Sequence, residues 1–511
     1  MPCCKGCTFG AVRKKQNIVL EKLLVEDYAA EGKALARVEG KVIFIEGAVP
    51  GDVVDVRLGK SKKDWAEGHA LHFHAYSKDR VEPFCQHFGV CGGCQWQMLP
   101  YEKQLQSKHR QVEEVLKRIG KVELPPFIPI AGAGETRFYR NKLEYTFSTK
   151  EYTEAKPPAR PRMLKGGVYE HITPGAPNGV TYSSEKPQRP QTDHGPGALG
   201  FHAKGFFDKV VHIEKCWLQP EPTNEIRNAI RQYALDNGIS FYDIRSHQGM
   251  LRTMQVRITT TGEVMVNLVV GEDNKKKLMP LLEWLVASFP QITTLLYTIN
   301  LKWNDSLFDQ NPLVYKGKGY VEEMLEDFRF KIGPKSFFQT NSRQGEKLYQ
   351  ITRDFAELDG SQVVYDLYCG TGSIGIFCSR GAKKIVGVEV VEAAIEDAKE
   401  NAQLNGIDHG VFFSGDVIDV CNDAFFTEHG RPDVIITDPP RAGMHEKLVH
   451  KILEMEAPTV VYVSCNPATQ ARDLALLDAK YAVTKVQPVD MFPHTHHIEN
   501  VVQLKLRSKN P

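Results

Sequence analysis

Short apolar alternations broken by Gly and Pro open the chain. Between about Asn17 and Phe73 these are Ala34-Leu35-Ala36-Arg37-Val38, Lys41-Val42-Ile43-Phe44-Ile45 and Val53-Val54-Asp55-Val56-Arg57-Leu58, with the turn-rich Gly47-Ala48-Val49-Pro50-Gly51-Asp52 between the last two. Period-two runs with regular turns predict a small antiparallel barrel, a shape that often binds oligonucleotides. The period then lengthens: Tyr101 to Gly120 predicts a helix, with Leu105, Val112, Val115, Leu116 and Ile119 on one face and Gly120 as its stop. From Lys156 to Gly197 repeated prolines break any period, which predicts a long insertion. Beyond it, Met254 to Ile258 and Val264 to Val270 read as hairpin partners.

From Val363 the rhythm is apolar strand, helix, apolar strand. The strands are Val363 to Tyr368, Ile385 to Glu389, Val411 to Ser414, Val434 to Thr437, Val460 to Ser464, and a final pair near Ala482 to Val486 and Val501 to Leu506. That alternation predicts a mainly parallel, doubly wound sheet covered on both faces, with its ligands at the C-terminal strand ends.

A chain of 511 residues with 42% hydrophobic content is long enough for about three domains. Its 64 Lys and Arg balance 63 Asp and Glu, so overall charge gives no pull toward nucleic acid. No apolar run reaches the roughly 18 residues of a membrane span, and the start lacks a secretory apolar core. A cytoplasmic monomer is expected, with its 11 cysteines reduced. Close cysteine spacing then points to metal or catalysis rather than disulfides.

The chemistry gathers at the strand ends. Asp366-Leu367-Tyr368-Cys369-Gly370-Thr371-Gly372-Ser373 forms a Gly-rich turn opening a helix, and Glu389 ends the next strand, where a carboxylate can accept both ribose hydroxyls. Nicotinamide and S-adenosylmethionine sites share that feature. Asp416, after the third strand, is placed to reach an adenine amino group. Thr437-Asp438-Pro439-Pro440-Arg441 then favours a methyltransferase acting on a nucleic-acid base, with rigid prolines forming the wall between donor and target. Cys465, in Ser464-Cys465-Asn466-Pro467, adds a thiol at the exit of the fifth strand, and Glu499 follows in His497-Ile498-Glu499. The C5 atom of uracil is a poor nucleophile until a thiolate adds at C6, and a base must later remove the C5 proton. A thiol and a carboxylate are the minimum set for that sequence. His494, His496 and His497 match no zinc spacing and are read as surface or orienting residues.

A second cysteine group, Cys85-x5-Cys91-x2-Cys94, holds three thiols in one compact loop, and Cys216 is the best fourth ligand. Spacing alone leaves zinc and a four-iron cluster equally open. Arg137-Phe138-Tyr139-Arg140-Asn141-Lys142 mixes cations with aromatics and is a candidate RNA contact.

Taken together, the chain resembles the RNA uracil-5 methyltransferase family. Gly32 to Val56 resembles that family's N-terminal TRAM barrel, Lys335-Ser336-Phe337-Phe338-Gln339-Thr340-Asn341 its donor-binding entry motif, and Ser464 to Pro467 with His497 to Glu499 its catalytic pair. The resemblance implies a multi-domain protein: an OB-like TRAM β-barrel (14–76), a central α+β iron-sulfur and RNA-binding domain (77–334, interrupted at 156–197), and a C-terminal α/β Rossmann-like methyltransferase domain (335–511). It implies Cys465 as nucleophile and Glu499 as base, with Gln339, Tyr368, Ser373, Glu389, Asp416 and Asp438 around S-adenosylmethionine. It also implies a [4Fe-4S] cluster on Cys85, Cys91, Cys94 and Cys216. The expected product is 5-methyluridine in RNA, with 23S ribosomal RNA favoured and tRNA the alternative. A non-catalytic RNA-binding assembly factor is the rival of another class.

Overall fold

The computed structural model describes residues 18–29, 32–153, 162–163, 169–172, 180–183 and 196–508. Three closely spaced N-terminal cysteines, Cys3, Cys4 and Cys7, the basic run Arg13-Lys14-Lys15 and most of the 156–197 insertion lie outside them. Within that insertion, three short segments, Arg162–Met163, Tyr169–Ile172 and Val180–Ser183, pair as an antiparallel sheet.

The C-terminal part is built on a seven-stranded sheet. Its strands are β1 (Val363–Leu367), β2 (Lys384–Glu389), β3 (Gly410–Ser414), β4 (Val434–Thr437), β5 (Thr459–Ser464), β6 (Tyr481–Val489) and β7 (Glu499–Leu506). They lie in the order β3-β2-β1-β4-β5-β7-β6. The first five are parallel, and β7 inserts antiparallel between β5 and β6. Their β-branched runs serve two cores at once, because successive side chains point to opposite faces. Val364, Ile385, Ile436 and Val461 enter one core with the helices Ser342–Ala356 and Ser373–Cys378. Tyr365, Val386, Ile435 and Val460 enter the other with Glu446–Met455 and Pro467–Leu477. The strand order reverses between β1 and β4, and this switch point opens a crevice beyond the strand ends.

Near the N-terminus six strands form one bulged sheet around Val25, Ala34, Ile43, Ile45, Val54 and Val56. Lys41–Glu46 and Trp65–Ala75 run parallel within it, a departure from the all-antiparallel expectation. The 11-residue strand Trp65–Ala75 escaped the sequence pattern because its alternation is carried by Ala, Gly and His rather than by large apolar side chains. A second seven-stranded sheet occupies the middle of the chain, and Leu251–Ile258 pairs antiparallel with Val264–Val270 there, the expected hairpin.

The helix Tyr101–Val115, continued by a wider turn to Gly120, leaves the middle of the chain and packs on the C-terminal sheet. Val112 and Leu116 join the second core of that sheet. Its buried face is otherwise polar, through Gln104 and Lys108, while Ile119 is 45% exposed. The expected apolar face is therefore only half right. Lys108 Nζ forms a fully buried ion pair with Asp490 Oδ1 at 2.6 Å. Residues 128–131 run beside β6, with the Ile128 and Ala131 amides donating to the Val486 and Pro488 carbonyls.

Candidate functional site

β1 ends at a turn that only a special backbone permits. Tyr368, Gly370 and Gly372 all have positive φ, and a Cβ at Gly372 would press on Ala398 and Phe412 at 3.0 Å. The Gly370 amide donates to Glu389 Oε2 at 3.3 Å, and the Val391 amide donates to its Oε1 at 3.1 Å. The carboxylate that ends β2 is thereby aimed at the turn. Asp366 is buried beneath it and accepts from the Gly375 amide at 2.8 Å; burial pushes its carboxyl up to about 7. Ser373 Oγ lies 2.9 Å from the Tyr349 hydroxyl. Gln339 is buried in the loop before Ser342–Ala356, whose first turn is capped by Asn341. Asp416 Oδ1 accepts from the Ile418 amide at 2.9 Å and so caps the short helix Val417–Val420, a task the sequence reading did not assign to it.

The second half of the site comes from three neighbouring strands. Asp438 follows β4, Cys465 follows β5, and Glu499 begins β7. Ser464 is paired with Asn500 across β5 and β7, so Cys465 and Glu499 stand one residue beyond the same pair, on adjacent strands at one sheet end. Asn466 explains why the strand stops at the thiol: its side chain accepts from the Ala468 amide, and Pro467 opens the next helix. The Asn466 side-chain amide also donates to the Arg441 carbonyl at 3.0 Å, which ties the Asp438-Pro439-Pro440-Arg441 loop to the cysteine.

The electrostatics link these groups. Burial pushes the Cys465 thiol up to about 11, with Glu499 and Asp438 adding to the rise and Arg441 opposing it. Burial, then Asp438, raises Glu499 well above the usual carboxylate range, and Arg441 again opposes. Burial also holds Asp438 up at about 7. Arg441 thus opposes the rise at both Cys465 and Glu499, a role not expected of it from the sequence. Its position directly after the two prolines was the available signal.

One consequence is measurable in the free protein. Since only the thiolate is reactive, alkylation of Cys465 by iodoacetamide should accelerate about tenfold per pH unit through the neutral range and level off near the raised pKa. Glu499→Gln removes a carboxylate that raises the thiol, so its profile should lie at lower pH. Peptide mass spectrometry reads both.

The three histidines lie in the segment that precedes Glu499. His494 is buried, with Nδ1 3.1 Å from Gln104 Nε2; His496 Nδ1 contacts Gln95 Oε1; His497 Nδ1 lies 3.4 Å from Arg441. Burial first, then neighbouring positive groups, pulls His497 down to about 4, so it is neutral near pH 7.

Cys85, Cys91, Cys94 and Cys216 are free thiols. Burial pushes Cys91 up to about 11 and Cys94 up to about 12, and each is raised further by Cys216 and Cys85. The segment of Cys216, 122 residues after Cys94, meets this loop through Glu214, whose amide donates to His87 Nε2 at 3.2 Å and whose carboxylate accepts from Gln86 Nε2 at 3.0 Å, and the Cys216 amide donates to Asn224 Oδ1 at 2.7 Å. Among the described residues, no three His, Cys, Asp or Glu side chains are grouped to hold a metal ion.

The candidate RNA segment divides. Arg137 lies 3.9 Å over the Phe84 ring and Phe138 is 37% exposed. Tyr139 and Asn141 are buried: the Tyr139 hydroxyl donates to the Pro493 carbonyl, and Asn141 Nδ2 donates to the Gln339 carbonyl at 2.9 Å. Among the described residues no helix is long and apolar enough to cross a membrane.

A doubly wound sheet with a Gly-rich turn after β1, a carboxylate ending β2 and Asp-Pro-Pro after β4 defines a methyltransferase of the Rossmann-like type that uses S-adenosylmethionine. Comparison with known proteins narrows this. Residues 426–507 match the tRNA (Uracil-5-)-methyltransferase family model, residues 21–71 the TRAM domain, and residues 351–460 the methyltransferase small domain. An uncharacterised RNA methyltransferase of Bacteroides thetaiotaomicron is 51% identical over 94% of this chain and 100% of its own length. A second, from Porphyromonas gingivalis, is 47% identical over 94% and 98%. The crystal structure of Pyrococcus abyssi tRNA (uracil-54, C5)-methyltransferase with S-adenosyl-L-homocysteine superposes with a TM-score of 0.68, at 25% identity, over 94% of this chain and 100% of that one. The chain belongs to the RNA uracil-5 methyltransferase family and is an enzyme of that class.

Proposed function

We propose that this enzyme methylates C5 of a uridine in tRNA through a covalent Cys465 adduct. The observation that carries the mechanism is the Ser464–Asn500 pair, which sets the thiol and the carboxylate side by side beyond one sheet end, next to Asp438. The Cys465 thiolate adds to C6 of uracil, and the electron pair of the C5=C6 bond moves toward C5 and the O4 carbonyl. C5 takes the methyl group from the sulfonium of S-adenosylmethionine, leaving S-adenosylhomocysteine. Glu499 then accepts the C5 proton, the C5=C6 double bond reforms, and the C6–Sγ bond breaks to return the thiolate. Gln339, Tyr368, Ser373, Glu389, Asp416 and Asp438 line the donor side, with Glu389 toward the ribose. The target face of uracil is hidden in stacked RNA, so the base must be turned out of its stack to reach Cys465.

The RNA class is where the comparisons and the sequence resemblance diverge. The barrel and the cysteine loop favour 23S ribosomal RNA only if tRNA enzymes lack those parts. The Pyrococcus abyssi tRNA enzyme is matched over its whole length by 94% of this chain, which supports the tRNA reading. Incubation with tritiated S-adenosylmethionine and either unmodified tRNA or a 23S ribosomal RNA transcript decides. Label should enter 5-methyluridine in tRNA; incorporation into the 23S transcript alone overturns the tRNA assignment.

Cys85, Cys91, Cys94 and Cys216 would hold a [4Fe-4S] cluster. Buried thiols that raise one another resist ionising as bare groups, and a cationic centre relieves that cost. Among the described residues no three His, Cys, Asp or Glu side chains are grouped to hold a metal ion, so this assignment rests on the cysteine spacing and the family resemblance. When bound, the cluster cross-links two distant loops and carries no step of the reaction. Cys216→Ser is expected to lose the brown colour and most of the bound iron of anaerobically purified protein. Full iron loading in that variant would identify a different fourth ligand.

A further inference from the structure

The segment from Asp490 to Ile498 delivers Glu499, yet almost nothing that holds it belongs to its own sheet. Lys108 bonds Asp490 and donates to the Phe492 carbonyl at 3.2 Å. The Tyr101 hydroxyl donates to Asp490 Oδ2 at 2.9 Å and accepts from the Ala133 amide at 2.7 Å. The Tyr139 hydroxyl meets the Pro493 carbonyl at 3.0 Å, and Asn341 Nδ2 the Met491 carbonyl at 3.0 Å. His494, at the sharpest point with φ of 64°, receives the most. Its carbonyl accepts from the amides of Gln95 and Trp96, at 2.8 and 3.0 Å. Its own amide donates to Gln104 Oε1 at 2.8 Å.

Gln104 is fully buried and joins both sides of this clamp. While Oε1 holds the His494 amide, Nε2 donates to the Trp96 and Leu99 carbonyls at 3.0 and 2.8 Å. One side chain thus ties the segment that leads to Glu499 to the residues that directly follow Cys94. A buried amide with this many partners costs more to rearrange than to keep, so it fixes a left-handed residue that would otherwise relax.

We propose that Gln104 is the positioning residue for proton removal, and that the helix Tyr101–Val115 and the loop after Cys94 serve the chemistry by holding Glu499 against C5. This rests on Glu499 being the proton acceptor. Gln104 makes no hydrogen bond to β5 or Asn466, which carry Cys465, and the clamped segment meets that side through His497 on Arg441, so thiolate addition and methyl transfer change little while release of the product slows.

The test separates those two phases. Holoenzyme in slight excess over its RNA, with tritiated S-adenosylmethionine, gives a labelled protein–RNA adduct whose formation and decay are followed on denaturing gels. Gln104→Met keeps volume and removes every polar contact of the amide. Its adduct should form within about threefold of the parent rate and decay roughly ten- to hundredfold more slowly, the scale of a small misplacement of a reacting group. Equal factors on formation and decay, or an unchanged decay, overturn the proposal. If Gln104→Met does not fold, judged by thermal melting and donor binding, two variants probe other contacts of the same segment: Tyr101→Phe removes the hydroxyl on Asp490, and Gln95→Ala removes the side-chain oxygen on His496 while keeping its amide on His494. Slower decay in either supports the clamp, and unchanged decay in both overturns it. Glu499→Gln in the same assay keeps the two readings apart. If its adduct fails to persist, the base assignment falls; if it persists while the Gln104→Met adduct clears normally, only the role of Gln104 falls.

Discussion

A Glu499→Gln protein is expected to stay joined to its RNA. Glutamine matches the shape of the carboxylate but cannot accept a proton, so addition and methyl transfer proceed and the methylated uracil remains bonded through C6 to Cys465. Loss of a positioned base costs about 10²- to 10⁴-fold in turnover. The measurement is a labelled band of slow mobility in denaturing gels, digested by ribonuclease and by protease. Release in the parent enzyme should also quicken as pH rises. Burial and Asp438 raise Glu499, so its basic form is favoured only above that raised pKa, with Arg441 pulling the other way. A Glu499→Gln protein that turns over freely, with no adduct, would remove this residue from the mechanism.

The second large effect is at the nucleophile. Cys465→Ala should lower 5-methyluridine formation by at least about 10⁴-fold, because the proposed route activates C5 only through addition of that thiolate at C6. Donor binding should persist, since the turn after β1 and the carboxylate after β2 are untouched, and equilibrium dialysis with S-adenosylmethionine checks this. The same variant tests the two rivals. An enzyme that methylates an exocyclic amine through Asp438-Pro439-Pro440 would keep its activity. An RNA-binding assembly factor would keep its cellular role with the thiol gone.

How much of this was legible beforehand depends on where the information sits. The strands from Val363 onward were readable because each is a local run of apolar, mostly β-branched or aromatic residues, and the two faces of the sheet use the same period. Asp438 and Cys465 follow such runs and Glu499 opens one, each beside a distinctive neighbour, so their common sheet end was legible in the sequence. The antiparallel placement of β7 between β5 and β6 was not, since it is decided by pairing across the sheet rather than by composition. Gln104 and Lys108 were missed for a related reason. A polar residue on a helix face reads as solvated, and the partners that make these two buried, His494 and Asp490, lie more than 380 positions away. Asp416 shows a third kind of limit, because its capping of a four-residue helix is a local backbone event that its place after the third strand does not announce.

The contact of the barrel with the loop before Glu499 bears on how such enzymes can be recombined. Trp96 donates from Nε1 to the Gly32 carbonyl at 3.1 Å, and a Cβ at Gly32 would strike the His496 side chain at 2.8 Å. Three stretches far apart in the chain, around residues 32, 95–108 and 490–498, are thus cut to one another's shape. A chimera that joins the front of this protein to the catalytic half of a relative at residue 335 would inherit mismatched sides of that fit. Exchanging residues 490–498 along with the front half should restore it, so the natural unit of exchange is a surface shared by all three parts rather than a domain.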